Sequence, residues 1–309
     1  MTELPAPLGP ASSALAAQEA RGLLYGLVGV AIFGLTLPLT RIAVAELDPL
    51  FVSLGRAVLA GLVSGVLLWS SGRPPPTRSQ LGKLAIVAAG VVFGFPVLST
   101  IAMRTAPAGH GAIVLALLPL ATAAASVLFA GERPSLGFWL CGLAGSGAVL
   151  AFAVLEGAFS SAGLGAADLL LVGAISAAAI GYAQGGALSR EMGGWQVISW
   201  ALVLSLPVLA AALALLAPAM TFNAHWPAWA SFFYVAFGSQ LIGFFFWNKG
   251  LALGGVAKVG QVQLLQTFVT LAGAAIFTGE SIGWREIGFA VLVVAIVAIG
   301  RKMPVARAR

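Results

Sequence analysis

Two stretches, PAGHGAIVLALLPLATAAASVLFAGE (residues 107–132) and GVAKVGQVQLLQTFVTLAGAAIFTGE (residues 255–280), decide how this chain is organised. A shift of 148 positions lays one on the other and pairs Val114 with Val262, Leu117 with Leu265, Thr122 with Thr270, Ala124 with Ala272, Phe129 with Phe277, Gly131 with Gly279 and Glu132 with Glu280. Apolar sequence of low complexity gives some matches by chance. The shared Phe-x-Gly-Glu ending falls where a helix is expected to stop in both, and the pair reads as an internal duplication.

Working outward, Gly, Pro and charged residues cut the chain into runs near the roughly 20 apolar residues that a spanning helix needs. The expected helices are 22–44, 50–70, 82–103, 109–130 and 135–155, then 166–188, 194–217, 227–249, 256–277 and 283–301. Five spans per half is an odd number, so the second copy enters the membrane the opposite way up. The predicted fold is an all-α polytopic membrane protein with ten transmembrane helices in two inverted five-helix repeats, an arrangement characteristic of secondary transporters. The expected division is a disordered cytoplasmic tail (1–21), a first repeat (22–155), a second repeat (156–301) and a basic cytoplasmic tail (302–309).

Composition agrees with lipid as the main solvent. Charged residues make up 8% of the chain and hydrophobic ones 60%, against a charged share of about 25% in soluble domains. The 39 glycines suit helices that approach closely through small side chains. In helix 5, Gly142 with Ser146 and Gly147 with Ala151 have the small-xxx-small spacing, which serves peripheral packing, a homodimer contact or lipid contact equally well. The net charge of +6 is scattered over connections, which argues topology and no nucleic-acid partner.

With the N-terminus inside, Arg21, Arg73, Arg78, Lys83, Arg133, Arg190, Lys249, Lys258, Arg301, Lys302, Arg307 and Arg309 collect at cytoplasmic ends. Only Arg41, Arg104 and Arg285 lie at outer ends, so both termini are expected in the cytoplasm of a bacterial inner membrane. Residues 1–20 contain no Lys or Arg and lack the basic start of a secretory signal.

The order and spacing of several segments resemble the EamA-type branch of the drug/metabolite transporter superfamily. These are PLFVSLGR at 49–56, the Gly-Glu pairs at 131–132 and 279–280, and WNKGLALGGVAKV at 247–259. The resemblance covers roughly residues 22–301. It implies ten helices in two inverted repeats, a central cavity lined mainly by helices 1, 3, 4, 6, 8 and 9, and export of small metabolites such as amino acids. Two positions depart from the family pattern: Phe33 with Gly34 replaces a Trp-Gly step, and Thr267 replaces the proline that Pro119 supplies in the first half.

Candidate substrate contacts come from polar and aromatic stripes. Gln263, Gln266, Thr267 and Thr270 share a face of helix 9, whereas the equivalent positions of helix 4 are Leu115, Leu118, Pro119 and Thr122. Such a stripe lines a wet cavity or glues helices together. Helix 8 offers Gln240, Phe244 and Trp247, followed by Asn248; helix 1 offers Phe33 and Thr36; helix 3 offers Phe95 and Ser99. Tyr182 and Gln184 of helix 6 are weaker candidates. Arg56 is the one basic residue well inside a span, and either attracts a substrate carboxylate or, as the preferred reading, snorkels or pairs with Glu46 or Asp48.

No acidic residue is central to a span, and His110 is the only span-associated candidate to carry a proton. One cysteine, two histidines and no phosphate loop leave no expectation of a cofactor, a metal or an enzyme. The expected activity is alternating-access transport, with export, of a small organic metabolite such as an amino acid or related amphipathic solute. The rival readings are a non-transporting membrane scaffold or receptor and a passive channel.

Overall fold

Runs of Leu, Ala, Val and Gly form helices throughout, and prolines, glycines and a few polar caps set where they bend and stop. The computed structural model describes residues 10–106, 111, 114–155, 165–216, 222–278 and 284–307. Helix α1 runs Pro10–Gly34, breaks at Leu35 and resumes over Thr36–Val44. Pro38 has no N–H to give the Gly34 carbonyl, and the Thr270 hydroxyl donates to that oxygen instead, at 2.7 Å. Helix α2 (Pro49–Ser70) starts sharply because Asp48 accepts from the Leu50 and Phe51 amides and Pro49 fits the first turn.

Helix α3 begins at Arg78, widens into a π-type segment over Ala88–Gly94 and ends at Ala102, with Pro96 just after the widening. A 3₁₀ turn (Leu115–Leu117) leads into α4 (Leu118–Phe129), and α5 spans Leu136–Leu155. Helices α6 (Ala166–Met192) and α7 (Gly194–Leu216) meet at Gly193, whose φ of 93° only glycine adopts readily. Helix α8 comprises Trp226–Phe233, a π-type segment over Tyr234–Gly243, and Phe244–Gly254. Helix α9 follows as Val256–Gly260, a 3₁₀ stretch Gln261–Leu265, and Gln266–Thr278; α10 is Trp284–Gly300.

Among the described residues, seven of these helices are long and apolar enough to cross a membrane, and the described parts of α4, α5 and α10 are also apolar. The interior is mainly apolar but also holds polar side chains such as Thr36, Arg56, Gln240, Gln263 and Thr270, while the large apolar residues Leu62, Val66, Leu128, Val208 and Val291 face outward. Trp69, Trp226 and Trp284, at helix ends, are among the most exposed side chains, as in the aromatic belts at bilayer interfaces.

Helix α1 packs on α8, α3 on α6, α2 on α7, and α5 on α10. Two of these seams are backbone-tight. A Cβ added to Gly250 would lie 2.8 Å from the Gly26 amide nitrogen, and one added to Gly90 would lie 2.5 Å from the Ala177 carbonyl oxygen.

Two expectations change. Residues 10–21, expected as disordered tail, extend α1, since Ala, Leu, Gln and Glu are strong helix formers and Glu19 pairs with Lys258 at 3.0 Å. The all-α fold holds apart from one short antiparallel pair, β1 (Glu132–Pro134) with β2 (Val305–Arg307). Part of the segment expected as a basic tail is therefore tied down, and both described chain ends meet the same end of the bundle. His110, the Gly279–Glu280 pair and Arg309 lie outside the described residues.

Candidate functional site

Residues in or beside the breaks of α1, α3, α8 and α9 and in the turn before α4 line a small void between the halves. Phe33, Thr36 and Leu37 reach it from α1, Arg56 from α2, and Val91 and Phe95 from α3. Leu115 reaches it from the turn before α4, Tyr182 from α6, Ser239, Gln240 and Phe244 from α8, and Gln266 from α9. Residues of both halves thus meet here. The void measures about 10 Å³, room for one water at most and far below the several hundred Å³ that a small-molecule site requires.

Its apolar wall is an aromatic cluster. The rings of Phe33 and Tyr182 stack at 6.3 Å, Phe33 meets Phe244 edge-on at 5.0 Å, and Trp247 stands edge-on to Tyr182 at 5.3 Å. Gly243 makes room for this contact, because a Cβ there would fall 2.6 Å from the Phe33 ring. The polar wall is a chain of hydroxyls and amides. Ser239 Oγ lies 2.9 Å from Thr36 Oγ1 and accepts from Arg56 Nη2 at 3.1 Å, and Gln240 Nε2 donates to the Val91 carbonyl at 3.0 Å. That last bond fixes the Gln240 amide and leaves its Oε1 buried without a partner; Gln266 Oε1 is likewise unpartnered.

Of the residues singled out in the sequence, Phe33, Thr36, Phe95, Gln240, Phe244 and Gln266 come together on the void. Trp247 backs the aromatic wall without lining it, and its indole N–H has no partner. Tyr182, a weaker candidate in the sequence, also lines the void, and the others lie elsewhere. Ser99 donates to the Phe95 carbonyl of its own helix at 2.6 Å, and Asn248 Nδ2 donates to the Gly194 carbonyl at the α6–α7 turn, 3.2 Å away. Gln263 accepts from Thr122 of α4 at 3.2 Å, while Thr267 is buried off the void. The α9 stripe therefore divides: it shares one face but changes neighbours along the axis, so Gln263 and Thr270 tie helices together while Gln266 reaches the centre.

Arg56 takes neither of the structural roles expected of it. It is 1% exposed, too deep to snorkel, while Glu46 pairs with His225 and Asp48 caps α2. Its Nε and Nη1 have no hydrogen-bond partner. An ion in the membrane interior with no counter-charge costs several kcal/mol, so such groups usually mark function. Ser239 was missed in the sequence because one serine in a widened π-type segment falls off a regular helical face.

Two larger grooves lie nearer the surface. One of about 500 Å³ has Tyr25, Trp195, Phe245 and Lys249 in its walls, and one of about 240 Å³ has Glu19, Glu132 and Lys258. Neither contains a residue singled out for substrate contact.

The EamA-like transporter family model matches twice, at residues 20–154 and 165–300. The chain belongs to the EamA-like transporter family. An "uncharacterized transporter YdeK" of Bacillus subtilis (strain 168) is 43% identical over 281 residues, which cover 91% of this chain and 97% of that protein. A solved crystal structure matches the fold with a TM-score of 0.69 at 18% identity, over 91% of this chain and 96% of the other. Two EamA units, apolar helices and a transporter relative make this a multi-pass membrane protein of the drug/metabolite transporter superfamily.

Proposed function

We propose that this EamA protein is a secondary transporter that moves a small organic metabolite by alternating access through the central void. The observation that carries the reading is the void itself: it is lined from both repeats by aromatic, amide and hydroxyl groups, yet at about 10 Å³ it admits no solute unless the helices around it move apart. A scaffold has no use for such a lining, and a passive channel does not need a closed centre.

In this reading α1 to α5 and α6 to α10 are two inverted five-helix repeats, ten spans in all. Several correspondences at the 148-residue offset support it. The 3₁₀ turn at Leu115–Leu117 falls on 263–265, inside the 3₁₀ stretch of α9, and the π-type segment of α3 falls on that of α8. The contact of α1 with α8 has its counterpart in that of α6 with α3. Both described chain ends sit at one end of the bundle, as an even number of spans requires, and the basic bias assigns that end to the cytoplasm of a bacterial inner membrane. Export is the direction we assign, by likeness to the family.

Proteoliposomes holding the purified full chain test the reading. Saturable uptake of an amino acid or related solute, accelerated by unlabelled solute on the opposite side, is the expected result. Flux that never saturates supports a channel, and no flux for any solute supports a scaffold.

A further inference from the structure

Among the described residues two charged side chains are fully buried, Glu132 and Arg56, and they are treated oppositely. Glu132 caps α9 by accepting from the Val256 and Ala257 amides at 2.9 and 2.7 Å, with Arg190 at 4.0 Å. Among the described residues Arg56 has one partner, the neutral Ser239 hydroxyl, and no carboxylate. The void it lines also offers the two unsatisfied acceptors Gln240 Oε1 and Gln266 Oε1. The residues that carry these unused donors and unused amide acceptors thus line one small space together with Phe33 and Phe244.

We propose that Arg56 anchors the anionic group of the transported solute. Resting on the transport reading above, this makes the solute a carboxylic acid with a hydrogen-bond donor beside the carboxylate and an apolar body. A carboxylate takes paired, charge-assisted bonds along an edge of a guanidinium, which supplies the counter-charge that the protein withholds. An amino or hydroxyl group on the adjacent carbon donates to the Gln240 and Gln266 oxygens, and the apolar remainder lies against the aromatic rings. The 148-residue offset takes Arg56 to Leu204, so the second half has no equivalent cation and the anchor belongs to the first repeat alone.

The test compares α-amino and α-hydroxy acids (leucine, phenylalanine, phenyllactate) with their matching primary amides, on the full chain. Binding is read by thermal shift in detergent and transport by counterflow in proteoliposomes. At least one acid is expected to bind and move, with its amide weaker by roughly tenfold to a hundredfold. Arg56→Gln should erase that preference, and Arg56→Lys should keep part of it as a point charge. Without ligand, Arg56→Gln should melt no lower than the parent, because it removes an unpaired buried charge. Equal response to acid and amide, a preference that survives Arg56→Gln, or a variant that fails to fold would each overturn the anchor. Acid binding that needs Arg56 but yields no flux overturns the transport reading and keeps the anchor. Flux of neutral or cationic solutes alone does the reverse.

Discussion

The α1–α8 and α3–α6 seams and the void between them follow opposite rules. At both seams glycines bring backbones together, Gly250 against Gly26 on one side and Gly90 against Gly181 on the other. At the void the halves diverge. Where α9 has Gln263 and Gln266, α4 has Leu115 and Leu118, and where α2 has Arg56, α7 has Leu204. Close backbone contact demands small residues at each seam whatever the copy, whereas walls of different chemistry suit a space that meets an unsymmetrical partner.

The hardest way to break this contrast is to damage one seam. Gly250→Ala sets a methyl group against the α1 backbone, which cannot yield as a side chain would, and should destabilise the protein by about 3 kcal/mol. Gly147→Ala, with nothing within 4 Å of the added carbon, should instead be neutral or stabilising by about 0.5 kcal/mol. Melting temperatures of the two purified variants decide this; equal effects would remove the special status of the seam.

Two glutamines one turn apart sharpen the contrast between seam and void. Gln263→Leu strips Thr122 of its acceptor and should cost about 1 to 2 kcal/mol of stability. Gln266→Leu removes an oxygen that has no partner, so stability should hold while transport falls by about tenfold or more. Stability assays and proteoliposome flux on both variants check the split, and a Gln266→Leu protein that transports normally would take that residue out of the site.

The smallest effect lies outside the bundle core. Glu46 accepts from the His225 backbone N–H at 2.6 Å and sits 2.9 Å from its ring Nδ1, and these contacts, the backbone one first, hold its carboxyl below the ordinary carboxylate range. A depressed pKa contributes stability above the unfolded value of about 4.3 and loses it as pH falls through the folded value. Glu46→Gln should therefore melt slightly lower than the parent near neutral pH, with the difference disappearing in acid below about pH 4. A gap that widens on acidification would contradict this assignment.

Much of the fold was legible because lipid imposes simple rules. Length, low charge and Gly-Pro punctuation located the apolar helices, and the repeated Phe-x-Gly-Glu ending marked two related units, as the double family match also does. The site was legible only in part, because a stripe specifies a face but not its neighbour at each depth. Gln263 and Gln266 look alike in sequence and meet different helices in space. Asn248 follows Trp247 directly, yet its amide turns to the α6–α7 connection. Arg56 reads as structural in the sequence because a cation six residues into a helix normally reaches the surface or an acid, and only the packing reveals that it is buried against the Ser239 hydroxyl.

The central claim, that solute crosses through the void between the halves, is most directly tested by thiol labelling. Cys141 is the chain's one cysteine, so Ser239→Cys in a Cys141→Ala background puts a single reporter on the void. The account predicts that membrane-impermeant reagents reach this position from each side in turn and that a transported solute protects it. A position 239 that stays unreactive from both sides during active transport would contradict it.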